Sequence, residues 1–258
     1  MALELKKGDG KEGAIAMPSQ VWNRSPREAL DNPYEYGIQD QFFREAKKLL
    51  EELNVRLQKY SMKFHRDNQS VQKAVWMLQL DALDSLREAL DALAEKKHRI
   101  AGQLFRVVVE TLDLAAYFHS PTNEAHRHLK AWYKDKIIEH KIYRNFIKKT
   151  EGKDAAKAKE DSYGALSRLT HRTYGALLAS YGLGQNDLIW HDSYAEANLL
   201  VLPETIAVYL TGLASLIIEF LKEVGQRGLL SPDEVREVFK NSLETETVPR
   251  RLGFLVRV

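Results

Sequence analysis

Apolar residues recur along this chain with the period of an α-helix, in runs long enough to define separate elements. In FFREAKKLLEELNVRLQKYSMKF, Phe42, Leu49, Leu53, Leu57 and Tyr60 fall on one stripe while Lys and Glu fill the other positions, predicting an amphipathic helix within residues 38–66. From Ser70 to His98 the same spacing aligns Val75, Leu78, Leu83, Leu86, Leu90 and Leu93, with neither Gly nor Pro to interrupt a second long helix. A third, more apolar helix is expected over 99–118. It stops at Ser120-Pro121, because proline disfavours helical geometry in the residue before it.

Thr122 is placed to cap a fourth helix over 122–151, rich in Lys, His and aromatics, which Gly152 ends. A fifth is expected over 155–181. Residues 182–192, GLGQNDLIWHD, read as an internal loop with Trp190 and His191 exposed. A sixth helix starts at Ala195 or Pro203 and reaches Val224. Ser231-Pro232-Asp233-Glu234 then opens a short one, with Ser231 as N-cap and Pro232 at the first helical position. The pattern is therefore all-α: a single bundle of about six long helices over 38–226, an N-terminal arm over 1–37, and a short C-terminal helix and tail over 227–258. The one strand-like alternation is RRLGFLVRV, which suits an edge strand.

Composition narrows the chemistry. The 258 residues include no Cys, which excludes a disulfide framework, a thiolate nucleophile, and zinc-thiolate or iron-sulfur sites. The net charge is only +2, so any strong field for nucleic acid has to come from a local cluster. HRHLKAWYKDKIIEHKIYRNFIKK supplies one, interleaving Lys and Arg with Trp132, Tyr133 and Tyr143. That arrangement suits single-stranded RNA, through phosphate contacts and base stacking; the alternative is a solvated face whose aromatics turn into the core. Residues 1–20 lack the apolar core of a secretory signal and carry acidic residues, so a cytoplasmic protein is expected. Leu199 to Ile218 has Glu204 as its only charge and is long enough to span a bilayer, but Pro203 and Glu204 interrupt it. The expectation is a central bundle helix and no membrane partner.

Phosphate-loop, dinucleotide-binding and nucleophile-elbow signatures are absent, and no cofactor is expected. Metal binding is also not expected. His119, His126, His128 and His140 lie near Glu124 and Glu139, but His126 and His128 are about 200° apart on a helix. Only Glu95-Lys-Lys-His98 has the Glu-x-x-His step of a bundle di-iron site.

Within LFRVVVETLDLAAYF, Arg106, Glu110, Asp113 and Tyr117 follow one another at helical steps along an apolar helix. Buried charges need partners, so the stripe is either an internal ion-pair network that fixes helix register or a ligand site. In SYGALSRLTHRTYG, Tyr163, Ser167, His171 and Tyr174 recur at the same spacing and supply a partner face, with Arg168 beside it. His171 is either a hydrogen-bonded core residue or a working one.

The order of Arg106-x-x-x-Glu110 and Tyr117, a Lys-rich aromatic helix, then Tyr163, Leu166-Ser167 and His171 resembles an uncharacterised all-helical bacterial family over roughly residues 75–223. It is also similar to the higher eukaryote and prokaryote nucleotide-binding (HEPN-like) helical domains, several of which are metal-independent ribonucleases of toxin and defence systems. Their signature is an arginine, usually followed by a polar residue, with a histidine about five to seven positions later. Here Arg168 precedes His171 by three with Leu169 in the polar slot, and Arg144-Asn145 opens the signature but reaches Lys149 and Thr150. The resemblance implies His171 as acid/base toward the 2′-hydroxyl or leaving oxygen and Arg168 as stabiliser of the phosphorane charge. Two functions are expected: a non-catalytic binding or interaction module related to nucleotide or RNA binding, or a metal-independent ribonuclease-like effector. A homodimer suits either.

Overall fold

The stripe seen in the first run becomes the buried side of α1 (Glu35–Gln58), where Phe42, Leu49, Leu53 and Leu57 are sealed from solvent. The computed structural model describes residues 35–95, 97–150 and 202–243, with residues 152, 157, 161, 163, 164, 166, 167, 174, 181–183 and 189–191. The arm over 1–34, Arg168, His171 and the RRLGFLVRV tail lie outside the described residues.

The helix ends at Gln58, earlier than residue 66, and a carbonyl of its last turn finds a side-chain partner there. Trp76 Nε1 donates to Leu57 O at 2.9 Å and satisfies one of the acceptors that every helix end leaves over. A 3-10 turn at Ser61–Lys63 follows, and the Tyr60 hydroxyl ties it to Leu229 O at 2.9 Å. Next, α2 (Val71–Ala94) starts at an N-cap where Ser70 Oγ accepts from Lys73 N at 3.2 Å. Its neighbour α3 (His98–His119) ends at Ser120, whose extended backbone is what the following proline requires.

The fourth helix of the sequence reading is two helices, α4 (Asn123–Trp132) and α5 (His140–Thr150). Thr122 caps α4 as expected, accepting from Ala125 N at 3.2 Å. The break is a Schellman motif: Lys136 N donates to Ala131 O at 3.1 Å and Asp135 N to Trp132 O at 2.9 Å, with Asp135 in the left-handed region at φ 61. Glycine is the usual residue there, and its absence hides the stop from sequence reading.

Of the fifth expected helix, residues 157, 161, 163, 164, 166, 167 and 174 are helical. The loop reading of 182–192 is corrected at both ends. Tyr181–Leu183 (β1) and Ile189–His191 (β2) pair as a short antiparallel ribbon, with Gly182 opposite Trp190. The chain then enters α6 (Leu202–Arg227), and α7 (Pro232–Ser242) follows. Ser231 caps α7 as expected, and the cap is a capping box, with Ser231 Oγ accepting from Glu234 N and Ser231 N donating to Glu234 Oε2 at 2.7 Å.

The fold class is all-α, and the helices enclose two cores. The larger is built by α1, α2, α3, α6 and α7, with Phe42, Leu83, Leu86, Phe105, Leu213, Phe220 and Phe239 at its centre. Two glycines allow close approach. A Cβ on Gly212 of α6 would lie 3.1 Å from the Phe105 ring, and one on Gly228 would meet Val224 O at 2.4 Å and Gln79 Oε1 at 2.8 Å. The second core, formed by Ala74, Leu78, Ala115, Tyr117, Phe118, Leu129, Ile138 and Tyr143, holds α4 and α5 against the end of α3. These two helices have 10 and 11 residues, too few to persist without such packing. Among the described residues no helix is long and apolar enough to cross a membrane, so the apolar sixth helix is a bundle member packed on α2 and α3.

Candidate functional site

Glu110 stands at the centre of a polar group that joins α3, α5 and the helical residues around Tyr163. Arg106 lies one turn before it on α3, and its Nε donates to Glu110 Oε1 at 2.7 Å. The Tyr163 hydroxyl donates to the same oxygen at 2.6 Å from 53 positions along the chain. His140, at the start of α5, brings Nδ1 within 3.5 Å of it. That nitrogen also shares a 2.6 Å hydrogen bond with the Tyr143 hydroxyl. Arg144 completes the group by lying over Tyr163, its guanidinium carbon 3.3 Å from the ring centroid. In that pose Arg144 Nη2 is enclosed without a hydrogen-bond partner. The stacked cation thus gives up one donor to hold the ring.

The electrostatics favour a brace over a proton shuttle. Burial opposes ionisation of Glu110, but hydrogen bonds from Tyr163 and Arg106, with the positive charge of His140 and Arg106, outweigh it and hold the carboxyl below its ordinary range. A carboxylate so stabilised is a weak base. Burial, then the nearby negative charges of Glu110 and Asp113, pushes the Tyr143 hydroxyl well up. Burial and the bond to Glu110 raise that of Tyr163, so both phenols keep their protons. The Arg106 guanidinium is held more firmly charged by its hydrogen bond to Glu110.

The expected stripe therefore divides. Arg106 and Glu110 pair and meet Tyr163; Asp113 is buried farther along α3. Tyr117 faces the second core, where its hydroxyl shares a 2.6 Å hydrogen bond with His128 Nδ1 on α4 and its ring packs 5.4 Å from Phe146 on α5. Ser167 is half-buried, whereas Tyr174 is 74% exposed and does not join a buried polar face. His171 and Arg168 lie outside the described residues. His140, Tyr143 and Arg144 take part in a site that the sequence reading did not assemble. Their spacing of i, i+3 and i+4 places them on adjoining positions of one helix, and that was the available signal.

Around this brace the outer faces of α4 and α5 are strongly basic. Residues 124–150 carry eight Lys and Arg against three Asp and Glu, a local +5 on a chain whose total is +2. Arg127, Lys130, Lys134, Lys136, Lys141, Lys148 and Lys149 are all exposed, and among the described residues none of them pairs with a carboxylate. The interleaved aromatics turn inward. Trp132 packs 5.5 Å from Phe118, the Tyr133 hydroxyl donates to Ser70 O at 2.8 Å, and Tyr143 is buried on His140. This is the alternative named above, a basic face whose aromatics turn into the core, so these rings form no stacking platform for single-stranded RNA.

The histidines are spent separately. His126 Nδ1 lies 3.0 Å from Thr122 O, while His98 is buried with its ring 5.1 Å from Tyr209, and Glu95, which shares the Glu-x-x-His step with it, is exposed. Among the described residues no three His, Asp or Glu side chains are placed to share a metal ion. No protein-family profile matches the chain, and no curated protein or solved structure does so either.

Proposed function

We propose that this chain is a non-catalytic binding module that holds RNA by its phosphates on the outer faces of α4 and α5. The observation that carries the reading is the set of seven exposed basic side chains on α4, α5 and the connection between them, none paired with a carboxylate among the described residues. Elsewhere Arg56, Arg87 and Arg236 are tied to carboxylates, in the pairs Arg56–Glu52, Arg87–Asp84 and Arg236–Asp233. Unpaired cations release condensed counterions from a nucleic acid at no cost in broken ion pairs. The Glu110 group supports the same reading from inside, since Arg106, Tyr163 and His140 all converge on one carboxylate oxygen and fix α5 to α3.

The resemblance to nucleotide-binding helical domains points the same way, and cytoplasmic location and a homodimer belong to the same proposal. The ribonuclease alternative, with His171 as acid/base and Arg168 as charge stabiliser, rests on the motif alone. Mobility-shift assays on purified protein test the proposal. Binding on the order of micromolar at low salt is expected. The variant Lys130→Glu/Lys141→Glu/Lys148→Glu is expected to lose it at unchanged melting temperature. The RNA is expected to stay intact with or without chelator, and His171→Ala to bind as wild type does. Absence of wild-type binding overturns the proposal, and metal-independent cleavage abolished by His171→Ala replaces it with the nuclease.

A further inference from the structure

We infer that the RNA this surface takes is a duplex, gripped by both phosphate backbones and not read at its bases; the inference rests on the function proposed above. Its basis is the placement of the cations. On α4 the buried positions are Ala125 and Leu129, and Arg127 and Lys130 lie on the opposite side, a line that Lys134 continues just past the helix end. On α5 the buried positions are Tyr143 and Ile147, and Lys141, Asn145 and Lys148 lie opposite them. Each helix thus carries a polar stripe at i, i+3 or i+4, and i+7, about 10 Å long at the rise of an α-helix.

Both helices are anchored to one residue, since Tyr117 bonds His128 on α4 and packs on Phe146 on α5. The result is two basic rows on two helices that share one anchor. The charge argument agrees. A double-stranded DNA helix carries one charge per roughly 1.7 Å of axis, against about 3.4 Å for one strand, and an RNA duplex gains likewise over its strand, so the same cations release more counterions on a duplex. A single strand would normally recover that difference by stacking its bases on aromatic side chains. Trp132, Tyr133 and Tyr143 are committed to the second core and its edge and cannot supply that surface. Six of the seven exposed cations are lysines, point charges that seat a phosphate without the bidentate fork that reads a guanine edge.

Ile137, 94% exposed between Lys136 and Glu139, offers a second surface chemistry, an anionic membrane. One apolar side chain is far less than the continuous apolar face of a membrane-surface helix, so nucleic acid is the ligand favoured.

The test is fluorescence anisotropy of the full chain with a short RNA duplex, with one of its strands, and with anionic phospholipid vesicles carrying a lipid dye. The duplex is expected to bind at least roughly tenfold more tightly than the strand. Two variants, Arg127→Ala/Lys134→Ala on and just past α4 and Lys141→Ala/Lys148→Ala on α5, are each expected to weaken duplex binding at unchanged melting temperature. A strand that binds as tightly as the duplex overturns this inference and leaves the RNA-binding proposal standing. Failure of both nucleic acids to bind, or binding to vesicles alone, overturns both. A loss confined to one of the two variants contradicts the two-row grip.

Discussion

The Tyr163 hydroxyl meets Glu110 Oε1 at 2.6 Å, joining a helical stretch to α3 across 53 positions of sequence. Glu110 is already bound by Arg106 from its own helix, so Tyr163 closes a charge-assisted pair into a three-residue unit. Tyr163→Phe is expected to lower stability by about 1 kcal/mol. A double-mutant cycle with Glu110→Gln should give a coupling of about 1 kcal/mol, measured by urea unfolding. Additive losses would show that the hydrogen bond contributes nothing beyond packing.

The same carboxylate makes stability depend on pH with a definite sign. Its folded pKa lies below the ordinary 4.5, so its contribution is complete above that value and is lost as pH falls through the lower folded one. The difference in urea midpoint between wild type and Glu110→Gln should be constant near neutrality and shrink below pH 4.5. A gap that widens in acid would mean that the folded state prefers protonated Glu110.

Asp135 holds the left-handed position of the Schellman motif at φ 61 with a side chain that gains little there. Asp135→Gly should raise stability by about 0.5–1 kcal/mol, visible as a higher melting temperature. It should also leave RNA binding slightly tighter, because an acid leaves the basic surface.

Gly228 faces the opposite constraint. A Cβ there would collide with Val224 O at 2.4 Å and with buried Gln79, so Gly228→Ala should cost about 2 kcal/mol or more in chemical unfolding. Neutral behaviour would mean that the turn from α6 to α7 can shift to make room.

The parts of this architecture that sequence reveals are those set by local periodicity. The stripes of α1, α2 and α3 carry their own burial pattern, and Ser70, Thr122 and Ser231 mark helix starts with side chains that cap directly. The break between α4 and α5 is hidden because Asp135 takes a conformation usually signalled by Gly. The β1–β2 ribbon is hidden because strands of three residues have no period to detect. Arg106 and Glu110 pair within one helix and could be read together. The arrival of His140, Tyr143 and Arg144 beside them is set by how α5 packs on α3, which spacing along the chain does not encode. The inward turn of Trp132 and Tyr133 is one of the two readings the sequence allows, and Phe118 and Ser70, contributed by other segments, fix it.

The salt dependence of RNA binding decides most directly whether the outer faces of α4 and α5 work through phosphates. With five or so cations engaged, a plot of log affinity against log salt should fall with a slope of about −3 to −5, and Lys130→Glu/Lys141→Glu/Lys148→Glu should flatten it along with the loss of binding. A slope near zero, or one that the triple variant leaves unchanged, would contradict phosphate binding at this surface.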